Sequence, residues 1–169
     1  MTGVELTTTR LTLRPPIEAD LDGWAGFDAD PEGMAFFGGP QTRSDSWTGL
    51  ATAAGMWSLR GYGLFSVIET MSGDWIGRVG PWAPEGHYGT EIGWAISPRA
   101  WGKGYASEAA RAAMGWAFDH LGWTEAIHCI DGANTASIAV ARNIGSSWLR
   151  QIQESDGRAI EIYGQSRSS

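Results

Sequence analysis

Apolar positions along the chain switch repeatedly between a period of two and a period of three to four. That rhythm predicts alternating strands and helices. Leu11 and Leu13 alternate with Thr12 and Arg14, a strand pattern within 6–14 that Pro15-Pro16 stops. Ile17, Leu21, Trp24 and Phe27 share one helical face over 17–28. Asp30-Pro31 and Gly38-Gly39-Pro40 bracket a loop-rich stretch carrying Met34, Phe36 and Phe37. Ser44 is placed to cap a helix running to about Arg60, with Trp47, Leu50, Ala54 and Trp57 as its buried face.

Residues 63–69 and 75–81 flank the turn Met71-Ser72-Gly73-Asp74 and read as a hairpin. In the next strand, 90–97, Glu91, Gly93 and Ala95 face one way and Ile92, Trp94 and Ile96 the other. Gly93 within it suggests a bulge or a close backbone approach. A long helix is predicted over 105–121, with a stripe of alanines and Gly122 as its stop. A strand at 124–131 follows, then a helix over 136–144 capped by Asn134 or Thr135. A closing hairpin spans 147–154 and 158–164. The strand, helix and strand between 91 and 131 form a βαβ unit, so a parallel pair is expected inside a mixed sheet. The class is α/β or α+β, with helices packed on the sheet.

With 169 residues and neither repeat, low-complexity tract nor linker, one domain over 1–169 is expected. The stretches 1–5 and 165–169 read as frayed ends. The net charge of −7 disfavours a nucleic-acid partner, which would need clustered Lys and Arg, and leaves a cationic partner open. A single cysteine, Cys129, excludes an intramolecular disulfide, and its apolar neighbours suggest a buried, inert thiol. No apolar run approaches the ~20 residues of a membrane span, and the first residues lack the apolar core of a signal peptide. A soluble, cytoplasmic protein without membrane partners is the expectation.

The turn Arg99-Ala100-Trp101-Gly102-Lys103-Gly104-Tyr105-Ala106-Ser107 carries the strongest chemical signal. Glycines let a ligand approach the backbone, and a helix starts immediately afterwards, so its free N–H groups and positive dipole end favour an anion. Arg99 and Lys103 add positive charge beside it. The P-loop pattern does not fit, because Gly102-Lys103 is followed by Gly104 rather than Ser or Thr. The dinucleotide fingerprint fits poorly as well, since the first acid after the next strand, Asp131, comes late. A glycine-rich turn with no ligand is the remaining alternative.

Arg99-x-x-Gly102-x-Gly104 resembles the Gln/Arg-x-x-Gly-x-Gly/Ala signature of the GNAT superfamily of acetyl-CoA-dependent N-acetyltransferases. Glu91-Ile92-Gly93-Trp94-Ala95-Ile96 looks like that family's fourth strand, and Asn134-x-x-Ser137-x-x-Val140 like its second conserved helix. Thr9-Arg10-Leu11-Thr12-Leu13-Arg14 resembles the opening of the branch that contains the ribosomal-protein N-terminal acetyltransferases. The resemblance implies a mostly antiparallel sheet of about six or seven strands, with a central splayed parallel pair and helices on both faces. It implies acetyl-CoA as co-substrate, a primary amine as acceptor, and direct transfer in a ternary complex. The pantetheine arm would lie against Trp94, Ala95 and Ile96. The pyrophosphate would lie on the turn from Arg99 through Gly102, Lys103, Gly104, Tyr105, Ala106 and Ser107. Asn134 would reach the pantetheine, and Arg142 the adenosine phosphates. An idle acyl-CoA-binding protein and a nucleotide-binding regulatory domain are the alternatives from other functional classes.

Acyl transfer from a thioester needs orientation, removal of a proton from the amine and stabilisation of carbonyl charge. Glu91, beside the expected thioester, is the candidate base; a strand-end ion pair is its other reading. Where many relatives carry a tyrosine as general acid this chain has Ala141, which leaves Ser137 as the nearest hydroxyl. No histidine pair shows metal-ligand spacing, so no metal is expected. His120 suits a helix C-terminus and His128 an apolar strand, whereas His87 falls beside the acceptor side. Phe36, Phe37, Trp82, Tyr88 and Trp94 gather there too; they suit an aromatic acceptor pocket or a homodimer interface.

Overall fold

The computed structural model describes residues 3–168. The strands are β1 (Leu6–Thr7), β2 (Leu11–Arg14), β3 (Phe65–Glu69), β4 (Trp75–Trp82), β5 (Glu91–Ile96), β6 (Glu125–Asp131), β7 (Ser147–Gln153) and β8 (Ala159–Ser166). The helices are α1 (Leu21–Asp28), α2 (Arg43–Arg60), α3 (Tyr105–His120) and α4 (Thr135–Asn143). All eight strands form one sheet in the order β1-β2-β3-β4-β5-β6-β8-β7, one more than the six or seven expected, because the stretch 6–14 gives two. Neighbours are antiparallel except β5 and β6, which run parallel.

That parallel pair is forked. Only Glu91 and Ile127 stand in register, with the Ile127 amide donating to the Thr90 carbonyl at 2.9 Å. Further along, side chains replace the missing ladder. His128 Nδ1–H donates to the Ile92 carbonyl at 2.7 Å, and the Cys129 amide donates to Glu91 Oε1 at 3.1 Å.

A core of Phe65, Val67, Val79, Ile92 and Ile96 packs under α3. The alanine stripe Ala109, Ala110, Ala113 and Ala117 is fully buried and lets that helix lie close to the sheet. On the other face Trp24, Phe27, Leu50, Ala53, Trp75 and Ala95 form the core under α1 and α2. Helices therefore cover both faces, as the side-chain alternation in β5 requires.

Several sequence expectations shift. The stretch 6–14 is two short paired strands, because Thr8 Oγ1 exchanges hydrogen bonds with Leu11 and turns the chain. The first helix begins at Leu21, and Ile17 is exposed. Asp20 takes up the Ile17 amide at 2.9 Å, closing a 3-10 turn over Glu18–Asp20. Thr42, not Ser44, caps α2: its Oγ1 accepts from the Asp45 amide while Asp45 accepts from Thr42. The buried face includes Ser46, Leu50, Ala53 and Trp57, so Trp47 points to solvent and Ala54 is only partly buried. Gly93 carries no bulge, since β4 and β5 pair without interruption from Trp82–Glu91 to Gly77–Ile96. The C-terminal segment is tied down rather than frayed: β8 runs to Ser166, and Arg167 donates to the Phe118 carbonyl. Residues 1, 2 and 169 of that reading lie outside the described residues.

Candidate active site

The 3-10 turn Pro98–Ala100 leads from β5 into the turn before α3, where Gly102 and Gly104 adopt φ of +73° and +79°. Only glycine takes those left-handed angles cheaply, and Gly104 is the N-cap of α3. With no side chain to cap, the first amides of the helix have no intrahelical partner and no side-chain acceptor.

A cavity of about 630 Å³ opens on them. Gly102, Gly104, Tyr105, Ala106 and Ser107 line one wall, Trp94, Ala95 and Ile96 the floor, and Asn134, Ser137 and Val140 the far wall. Phe36 and Phe37, from the loop before α2, close one side. Asn134 caps α4, its Oδ1 accepting from the Ser137 amide at 3.1 Å. Trp94 Nε1–H donates to Ser137 Oγ at 3.3 Å and spans the gap between β5 and α4.

A second cavity, about 100 Å³, adjoins the first and shares Trp94, Asn134, Ser137, Phe36 and Phe37 with it. Its inner end holds Glu91, Cys129 and His128. The buried Glu91 carboxylate accepts from His87 Nε2–H at 2.5 Å through Oε2 and from the Cys129 amide through Oε1. Neither partner is a guanidinium or an ammonium.

His128 is structural, as its strand position predicted. Since Nδ1–H donates to a carbonyl, Nε2 accepts, here from the Ser146 hydroxyl at 2.8 Å. Burial pushes its pKa below the usual histidine value, more than the Ile92 carbonyl and nearby Glu91 raise it. Burial, then the neighbouring Glu91, push the Cys129 thiol well above the ordinary range, so it is held protonated and is no nucleophile. Cys129 is only half-buried, however, and lines the second cavity, contrary to the enclosed thiol expected.

Other candidates lie outside both cavities. Arg99 donates to the Trp75 carbonyl at 2.8 Å and pairs with Asp74 at 3.6 Å. The Lys103 ammonium lies 5.7 Å from the Tyr105 ring centre, and Arg142 reaches the Tyr163 hydroxyl at 3.4 Å. Trp82 is half-buried at the end of β4, and Tyr88 donates to Glu154 near the rim.

Two residues that sequence reasoning left without a role brace the glycine turn. Arg10 Nη1 donates to the Lys103 carbonyl at 2.8 Å, and its guanidinium pairs with Glu108 at 2.6 Å and covers the Tyr105 ring. Glu108, in the first turn of α3, also accepts from Thr8 Oγ1 at 2.6 Å. The Thr-Arg motif before β2 was the available signal, but its partner stands 98 residues away.

Residues 10–147 match the family model described as an acetyltransferase (GNAT) domain, and the chain belongs to that family of acetyltransferase enzymes. It is 31% identical to the uncharacterized protein YkkB of Bacillus subtilis, a match covering 94% of both chains. It is 29% identical to the uncharacterized N-acetyltransferase p20 of Bacillus licheniformis, over 94% of this chain and 92% of that protein. Among solved structures, an acetyltransferase from Agrobacterium tumefaciens superposes with a TM-score of 0.88 at 29% identity, covering 99% of this chain and 96% of the other. Among the described residues no helix is long and apolar enough to cross a membrane.

Proposed function

We propose that the chain transfers an acetyl group from acetyl-CoA directly to a primary amine, with both substrates bound together. The observation that carries this reading is the pair of joined cavities. One is walled by uncapped helix amides; the other ends at a buried carboxylate whose side-chain partner is the His87 imidazole. The bound co-substrate supplies an acetyl group already activated as a thioester. The amides from Gly102 to Ser107 would hold its pyrophosphate, while Trp94, Ala95, Ile96 and Asn134 line the way for the pantetheine.

Glu91 takes the proton from the acceptor ammonium, directly or through one water, and His87 holds its carboxylate in place. Ala141 is fully buried and offers no hydroxyl, so Ser137 Oγ, oriented by Trp94, donates a hydrogen bond to the departing thiolate. Phe36 and Phe37 shape the passage to the acceptor, with Trp82 and Tyr88 further out. Arg99, Lys103 and Arg142 act as outlying positive charge toward the phosphates. The Thr9–Arg14 motif supports a protein N-terminus as acceptor, with a small-molecule amine as the other choice. Glu91 and Asp131 at the second cavity favour a cationic one. Direct transfer predicts intersecting initial-velocity lines when acetyl-CoA and amine are varied together; parallel lines would instead mark an acyl-enzyme. Thiol release from acetyl-CoA across a panel of peptides, polyamines, amino acids and aminoglycosides tests the activity itself. No release with any of them would leave an acyl-CoA-binding protein.

A further inference from the structure

Three different donor atoms that no local spacing announces come together where Glu91 and Cys129 line the second cavity and His87 stands against Glu91. His87 Nε2, a carboxylate oxygen of Glu91 and Cys129 Sγ all lie within 4.8 Å of one another. His87 comes from the turn before β5, Glu91 opens that strand, and Cys129 faces them from β6 across the fork. The side chains of His87 and Glu91 are 18% and 11% exposed, so water competes weakly for them while the cavity leaves a path inward. Glu91 Oε1 is already steadied by the Cys129 amide, which leaves Oε2, now hydrogen-bonded to His87, as the ligand atom.

We propose that His87, Glu91 and Cys129 form an inhibitory binding site for one divalent cation of zinc's class. One nitrogen, one sulfur and one oxygen suit a borderline-soft, four-coordinate ion. Magnesium and calcium would demand more oxygens. A water completes the fourth position.

In a tetrahedral shell, ligand atoms about 2.0–2.3 Å from the ion stand roughly 3.3–3.7 Å apart. The His87–Glu91 pair at 2.5 Å must therefore open by about an ångström, and the ion takes the place of the hydrogen between them. Binding needs His87 Nε2 free of its hydrogen and Cys129 as thiolate, so protons pass to solvent as the ion binds, the thiol's among them. The thiolate and the carboxylate together balance the ion's charge. Inhibition follows because the ion occupies the oxygen that accepts the amine's proton. That part rests on reading Glu91 as the base, whereas the site itself does not.

Calorimetric titration of the chelator-treated protein with zinc should saturate at one ion per chain. Cys129→Ser and His87→Gln should each weaken binding at least about tenfold. Cobalt(II) added to the unaltered protein gives a second readout: Cys129 is the only cysteine, so a near-ultraviolet thiolate–cobalt band can come from it alone. Uptake without saturation at one equivalent, binding that both variants share unchanged, or cobalt binding without that band overturns the site. Acetyl transfer is then measured with and without zinc, each variant against its own metal-free rate. Zinc should stop the unaltered protein and release its hold in Cys129→Ser. Zinc bound through Cys129 with turnover unaffected would overturn the inhibition and Glu91's role as base while leaving the site standing.

Discussion

Two buried carboxylates, Asp20 in the 3-10 turn after β2 and Glu91 at the start of β5, are treated in opposite ways. Asp20 accepts from both Arg14 nitrogens at 2.8 and 2.9 Å, from the Ile17 amide and from the Ser66 hydroxyl. Glu91 has an imidazole and one amide. The two long helices divide in the same way. A reciprocal side-chain box closes the start of α2, whereas α3 begins at a bare glycine. Satisfied polar groups hold structure together but have nothing left to offer a substrate. Donors and a carboxylate left short of partners around one opening forgo stability and stay available to a ligand.

The sharpest way to separate the two regions is to remove both carboxylates. Asp20→Ala should cost about 3 kcal/mol of stability, the low end for breaking a buried pair because Arg14 reaches water. The remaining native fraction should turn over normally, as denaturant melts paired with rate measurements would show. Burial by itself would raise the Asp20 carboxyl, but Arg14, the Ile17 amide and Ser66 outweigh it and hold the carboxyl below its usual value. Its stabilisation is therefore complete above the unfolded value near pH 4 and fades as acid takes the pH through the lower folded value. Asp20→Asn should flatten that part of the acid-unfolding profile. A variant that melts normally yet loses activity would dissolve the distinction.

Glu91→Gln should behave in the opposite sense. Turnover falls ~100-fold or more, about 2.7 kcal/mol of barrier, while CoA affinity and melting temperature stay near those of the parent. Wild-type turnover would mean that solvent or the amine itself supplies the base.

Gly104→Ala probes the open helix. An alanine at φ of +79° is strained, and relaxing it tilts the first amides, so CoA binding should weaken by about 1–2 kcal/mol. Thr42→Ala, by contrast, should cost about 1 kcal/mol of stability and leave CoA affinity alone. Unchanged CoA affinity in folded Gly104→Ala would remove the turn from the site.

The smallest effect concerns salt. With CoA saturating, kcat/KM for the best amine should decline as ionic strength rises, because steering between exposed charges decays over ~10 Å at 0.1 M. A flat profile would leave the acidic surface with solubility as its only role.

Much of this was legible in the residues because the deciding signals were local. Gly102 and Gly104, the alanine stripe and the Asn134 cap each act within one turn of chain, and the β5 alternation sets both faces. The Thr42 cap was misplaced because Ser44 competes with it two residues on, and only the Thr42–Asp45 reciprocity settles which wins. Cys129 beside Glu91, and Arg10 on Glu108, depend on which elements adjoin across 38 and 98 residues. No spacing encodes that. Arg99 belongs to the family-like motif, yet its guanidinium turns to the Trp75 carbonyl, which motif matching has no means of showing.

The single register pair between β5 and β6 also has a mechanical meaning. The sheet behaves as two plates, β1–β5 and β6–β8, joined at one corner and latched by His128 and Glu91. A latch made of a carboxylate and an imidazole couples one plate to the other. Protonating or occupying Glu91 should therefore be felt as a change in how far the plates gape. Amide hydrogen exchange would record it along Ile127 to Ile130 before any other strand responds.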